Sequence, residues 1–218
     1  MSNTTNYSQN KQIDAFFRGQ SLGAPSTLYF TLLTCSKGAR ANSTLYSTSG
    51  PDGIYLTAND SLVHYYVCTG NGTSASAQGT LYPGVPGEVI TDGSAQFTEQ
   101  TVNLQAGTAQ IEPSGGSYAR VAVVASEANF AGTQGATTTT ASSGTSAETS
   151  NNAAITWPSP TGNWQPTGGA IWGMAIYDAA SSGNCWWWEP LTIPKTVNSG
   201  DAAPSFAISA WTYTCDIT

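Results

Sequence analysis

Proton chemistry near neutral pH calls for a histidine or a tuned carboxylate, and this 218-residue chain holds one histidine, His64. It lies in LVHYYVCT (residues 62–69), which alternates as a strand: Tyr65 and Val67 share one face, and His64, Tyr66 and Cys68 the other. A nucleophilic triad would add a hydroxyl or thiol and an orienting carboxylate. No G-x-S-x-G elbow occurs in the sequence, so His64 reads as a structural or surface histidine. Glycoside hydrolysis needs only two carboxyl groups about 5–10 Å apart, and Asp92 with Glu99 or Asp178 with Glu189 are the candidate pairs. Asp92 and Asp178 fall at turns, where Asp is favoured for bonding its own backbone. No catalytic residue is therefore expected. Asp52, Asp60 and Asp92 are too sparse for a calcium loop, which needs acidic ligands at alternate positions. No metal or cofactor is expected.

Four cysteines, Cys35, Cys68, Cys185 and Cys215, include no C-x-x-C pair, which argues against a zinc knuckle or redox motif. Buried thiols are the plainer reading. Oxidation after release from the cytoplasm would instead form one or two disulfides, with all three pairings open. The run Trp186-Trp187-Trp188 must, in a strand, send Trp187 to the face opposite its neighbours. One face can be core, and the other meets solvent, a ligand or another subunit. Trp186 and Trp188 are thus candidates for subunit contact or glycan stacking, with Tyr66, Tyr82 and Phe97 of the middle block.

Composition narrows the classes further. Charged residues are 9% of the chain, and six Lys+Arg against thirteen Asp+Glu give a net charge of -7. Scattered basic residues on an acidic chain exclude a nucleic-acid partner. No apolar run approaches the ~20 residues of a membrane span, so no membrane insertion is expected. The opening MSNTTNYSQNKQ lacks the layout of a secretory signal, which implies synthesis in the cytoplasm.

The elements that must position these residues are mainly strands. Residues 10–19 form the one convincing helix. Ile13, Phe16 and Phe17 share a face, and Gly19 is placed to end it; so short an amphipathic helix must dock on something apolar. Strands follow at 26–34, 62–69, 88–90, 95–99, 103–112 and 118–126, with an Asp92-Gly93 hairpin turn. Residues 131–152 are nearly all Thr, Ser, Ala, Gly and Asn and read as a long arm or loop. In 170–178, Ile171, Gly173, Ala175 and Tyr177 should oppose Trp172, Met174, Ile176 and Asp178. Residues 206–214 should form one closing strand. Short strands at about ten-residue spacing indicate an antiparallel β-sandwich, Greek-key or jelly-roll-like, with one short N-terminal helix.

Several segments occur together in a familiar order: AFFRG closing the helix, STLYFTLL, GGSYARVAV, NAAITWP, AIWGMAIYDAASSGN, LTIPKTVNSGD and FAISAWTYT. Over residues 10–34 and 111–214 the chain resembles the tail-fibre-like virion proteins of tailed bacteriophages. The middle block, YVCTGNGTS and YPGVPGEVITDGSAQFTE, is similar to small carbohydrate-binding-like β-modules inserted in phage structural proteins. The resemblance implies a sandwich domain from 1–34 and 104–218, interrupted by a small β-module at 35–103. It also implies a non-enzymatic, oligomeric virion component, exposed as a tail fibre, head fibre or capsid decoration. Its partners would be capsid, portal or tail proteins and its own copies. The alternatives are an adhesin for host surface polysaccharide and, more remotely, a glycan hydrolase.

Overall fold

Residues 170–195 build the centre of the molecule, because two long apolar strands meet there across the Ser181–Asn184 turn region. In the computed structural model, which describes residues 3–49, 52–58, 63–78, 82, 85, 87–100, 112–132, 142–143 and 148–214, the chain is mainly β. In order it forms β1 (Asn3–Thr4), α1 (Asn6–Phe17), β2 (Thr27–Cys35), β3 (Leu45–Tyr46), β4 (Gly53–Thr57) and β5 (Val63–Gly70). There follow β6 (Gly72–Thr73), β7 (Val89–Asp92), β8 (Ala95–Glu99), β9 (Val121–Val124) and β10 (Glu148–Ser150). The chain continues through β11 (Ile155–Thr156), β12 (Ala170–Tyr177), β13 (Cys185–Lys195), β14 (Ser205–Phe206) and β15 (Thr212–Thr214). The expected strand at 103–112 and most of the arm at 131–152 lie outside the described residues.

All named strand pairs are antiparallel. The main sheet runs β1-β13-β12-β2-β9, and the segment between β2 and β9 builds a second sheet, β4-β5-β8-β7. Every residue of β12 is buried, as a strand covered on both faces must be. One face of the main sheet, carrying Leu33, Cys35, Trp172, Ala175, Tyr177 and Trp188, packs on Tyr65 of β5 with Tyr55, Val63 and Val67 alongside. The middle segment thus supplies the second layer over that face. The opposite face, with Phe30, Leu32, Ile171, Met174 and Ile176, is covered by Ile155, Trp157, Trp164, Val197 and Trp211 from the carboxyl-terminal third. A third cluster, centred on Tyr46, Ile54, Tyr66, Tyr82 and Phe97, lies within the middle segment.

Five local expectations need correction. The helix starts at Asn6 rather than residue 10, because Thr5 caps it and accepts the Ser8 N–H at 3.3 Å. Gly19, at φ +65, follows its last turn as expected. Its apolar face does not dock within the chain: Ile13, Phe16 and Phe17 are 50%, 74% and 84% exposed.

The β12 alternation is interrupted by a bulge between Ile171 and Gly173 in both of its ladders. Ile171 therefore joins Met174 and Ile176 on one face, and Trp172 joins Ala175 and Tyr177 on the other. Gly173 permits this, since an added Cβ would stand 2.9 Å from the Glu189 carbonyl.

A second irregularity sets Ile176 opposite Trp187 but Tyr177 opposite Cys185. It leaves Trp186 as an extra residue, so Trp186 and Trp188 do not share a face. Finally, 206–214 is two short strands rather than one. The buried Asn151 side chain accepts the Trp211 N–H at 2.9 Å and donates to the Ala207 carbonyl at 2.7 Å, folding residues 207–211 into a turn.

Candidate functional site

Each candidate catalytic pair is split by strand geometry. Asp92 pairs with Ala95 and Glu99 with Tyr66, four residues farther along β8, which places them about 13 Å apart along the strand. Asp178 follows Tyr177, whereas Glu189 pairs with Met174, again about 13 Å away. Asp92, Asp178 and Glu99 also have structural work. Asp92 is fully buried. It accepts from Arg40 Nε at 2.7 Å and Nη2 at 3.0 Å, from the Tyr82 hydroxyl at 2.8 Å and from the Ala75 N–H at 3.0 Å. Burial alone would raise its pKa, but these donors hold it below the usual carboxylate value. Asp178 behaves likewise: burial opposes ionisation, and the Asn184 side chain and N–H with the Trp186 indole win, leaving the pKa lowered. In Glu189 burial prevails and pushes the carboxyl up to about 7.

His64 is buried, with Nδ1 3.0 Å from Glu99 Oε1. Glu99 is itself fully buried and also accepts the Gly87 N–H at 3.3 Å. The pair lies inside the middle segment, where a substrate has no access to it.

The remaining polar network was not legible as a site. Where β9 stops pairing after Phe30↔Val121, the next inward N–H of β2, that of Leu32, donates to the Tyr118 hydroxyl at 2.9 Å. Thr31 donates to Glu112 at 2.7 Å, and Glu112 receives Arg120 Nε at 3.0 Å together with Nη2. The same guanidinium lies 3.9 Å over the Tyr177 ring and donates to the carbonyls of Ala179 at 2.7 Å and Ser182 at 2.8 Å. Arg120 thus ties the Gly115-Gly116 segment and the β12–β13 turn to the main sheet. The sequence signal was an arginine in a strand-like segment of a chain with six basic residues.

The predicted contact aromatics are all interior. Tyr66, Tyr82 and Phe97 are fully buried in the middle segment's own core, and Trp188 packs on Trp172 with centroids 6.1 Å apart. Trp186 is covered by Tyr7 of α1 at 5.3 Å, edge to face. None presents a ring face to a sugar. Cys35, Cys68 and Cys185 are free buried thiols, while Cys215 lies outside the described residues. Among the described residues no three His, Cys, Asp or Glu side chains group as metal ligands.

Two surface features stand apart from this interior. One is the exposed apolar ridge of α1. The other is an open cleft of about 340 Å³ lined by Leu32, Trp157, Ile171, Leu191, Ile193 and Phe206, with Lys195 at its rim.

The buried ion pairs of this β-rich scaffold brace loops against its sheets. The family described as Podophage GP4 fiber I protein gp80 matches residues 95–214, more than half of the chain. The chain belongs to this family and is a phage fibre protein. No curated protein matches the sequence. The matched span runs from β8 through β15 and so contains both central strands and the cover of one face.

Proposed function

We propose that the chain is a non-enzymatic component displayed on the phage particle, as a tail fibre, head fibre or head decoration. It is made in the host cytoplasm and held in place by contacts with its own copies and with capsid, portal or tail proteins. Membership of the fibre family over residues 95–214, which include β9, β12 and β13 of the main sheet, is the observation that carries this reading. The site geometry supports it, because the candidate catalytic carboxylates are about 13 Å apart in each pair, and Asp92, Asp178 and Glu99 are bonded into the fold. Basic side chains are also occupied: Arg18, Lys37, Arg40 and Arg120 each face a carboxylate. That leaves little positive charge for a nucleic acid. The adhesin reading draws no support from its named aromatics, which are buried.

The test is mass spectrometry of purified virions, followed by cryo-electron microscopy to count and place the copies. Copies in register with the capsid lattice assign decoration or head fibres, and a few copies around the tail assign a tail fibre. Absence from purified particles overturns the proposal.

A further inference from the structure

We infer that two copies of this chain join edge to edge through β7, antiparallel about a twofold axis at Ile90, so that their small sheets become one. This inference rests on the virion reading above and supplies one of the contacts between copies that it requires.

The outer edge of β7 carries two open sets of backbone groups. Asp92 pairs with Ala95 across the Gly93-Ser94 turn, and the Glu99 N–H donates to the Glu88 carbonyl at 2.9 Å. Bonded pairs alternate along an antiparallel ladder. Glu88, Ile90 and Asp92 therefore turn their backbone groups toward β8, and Val89 and Thr91 turn theirs away. β7 ends its sheet, and among the described residues nothing bonds the outward N–H and C=O of Val89 or Thr91. Both residues are exposed, Val89 at 57%.

Elsewhere the fold covers or caps its edges. β1 lies along Trp187 and Trp188 of β13, and the Asn129 side chain donates to the Val124 carbonyl of β9 at 2.9 Å. On β4 the Tyr55 N–H donates to the Gly38 carbonyl at 3.1 Å, and the Tyr55 carbonyl accepts the Arg40 N–H at 3.2 Å. β7 has no such cover and holds no proline, lysine or bulge, the devices that keep an edge from pairing.

Open N–H and C=O groups at every second residue are met by an extended strand, and the chemistry favours β7 of a second copy. With Ile90 opposite its own counterpart, Val89 of each copy faces Thr91 of the other, and each such pair exchanges two hydrogen bonds. The same register sets valine against threonine twice on the exposed face, a β-branched cross-strand pair. A strand already held in a sheet gives up little further backbone freedom, whereas a loose peptide must be ordered to bind. Chains of net charge -7 repel one another, and this edge brings little charge to the joint. Glu88 is exposed, but Asp92 is buried against Arg40 at 2.7 Å. Because residues 38–40 cover β4 at the far edge, the pairing stops at two copies. So small a contact is of the weak class, and it forms at high concentration.

The first experiment is analytical ultracentrifugation of the full chain from micromolar to millimolar concentration, which should show monomer and dimer and nothing larger. Thr91→Pro removes an outward donor from each copy and leaves the β8 ladder intact. It should weaken the dimer by about tenfold or more with unchanged far-UV circular dichroism. Disulfide trapping then reads the register, and it stands by itself if the proline variant misfolds. Val89→Cys chains mixed with Thr91→Cys chains should crosslink, because facing Cα atoms about 5.5 Å apart lie within disulfide range. Either variant alone should not, since its like positions are about 8 Å apart. Peptide mapping identifies the disulfide between the two substituted positions.

A full chain that stays monomeric at millimolar concentration overturns the inference. So does a dimer that a folded Thr91→Pro chain keeps at full strength, or trapping as frequent within each cysteine variant as between them. A monomeric parent whose Thr91→Pro variant drops out of virions would assign the edge to another virion protein and also overturn it. The presence of the parent chain in virions is measured separately, so failure here leaves the virion reading to its own test.

Discussion

Tyr65 of the middle segment lies flat on Trp172 of the central strand, with ring centroids 5.5 Å apart and planes 7° from parallel. This stack is the joint between the two sheets. Tyr65→Ala removes one ring and leaves a cavity against the other, so it should cost about 3–5 kcal/mol in urea denaturation. Gly53 supplies an independent test of the same joint. An added Cβ there would lie 2.1 Å from the Tyr65 hydroxyl, forcing the ring off Trp172. Gly53→Ala should cost about 1–3 kcal/mol in the parent and much less in a Tyr65→Ala background. Additive costs would show that the two positions act separately.

Arg120 should be as costly to lose as any core side chain. Its side chain is 4% exposed and that of its partner Glu112 16%, so Arg120→Ala leaves a buried carboxylate without its cation and frees two loop carbonyls. The expected cost is about 3–5 kcal/mol by denaturant titration. Arg120→Lys should recover only part of it, because an ammonium cannot reach Glu112, Ala179 and Ser182 in one planar fork. Full rescue by lysine would reduce the role of the network to simple charge neutralisation.

These two contacts also show which parts of the molecule can be read from sequence. The Asp92-Gly93 turn, Gly19 and the apolar runs at β2 and β12 carry their instructions locally, in turn chemistry and side-chain period. The bulges at Gly173 and Trp186 do not, since a bulge is set by what the neighbouring strand permits; it then exchanges the faces of everything beyond it. Trp172 leaves the face of Met174 and Ile176 for that reason, and Trp188 parts from Trp186. Asn151 breaks the closing strand through bonds spanning some sixty residues, and Tyr65 finds Trp172 across more than a hundred. No window along the chain contains either pairing.

Thiol reactivity follows from burial. Desolvation raises the Cys35 thiol to about 11 and Cys185 to about 12, and also lifts that of Cys68. The reactive thiolate is therefore scarce at pH 8. Brief iodoacetamide labelling of the native protein should leave these three unmodified, and labelling in denaturant should modify all three. Peptide mapping distinguishes them from Cys215. Protection that persists in denaturant without reductant would mean a disulfide.

Stability should respond to pH in opposite senses on two sides of a maximum. Asp92 and Asp178 are held below their ordinary values, Asp92 by Arg40 and Tyr82, and Asp178 by Asn184 and Trp186, each against the opposing effect of burial. Their contribution is present above the unfolded value of about 3.9 and is lost as pH falls through the lower folded values. Glu189 works the other way. Burial places its folded pKa at about 7, above an unfolded value of about 4.3. Between those two values the folded state holds a proton that the unfolded state has released. Stability therefore falls as pH rises across that window and levels off above it. Glu189→Gln removes the titration while keeping the shape. Its stability relative to the parent should be lowest near pH 4 and should rise steadily to pH 8, by no more than about 3 kcal/mol. Every other titrating group is present in both proteins and cancels in that difference. Parallel stability curves for parent and variant from pH 4 to 8 would place the Glu189 carboxyl in water and remove burial as the cause.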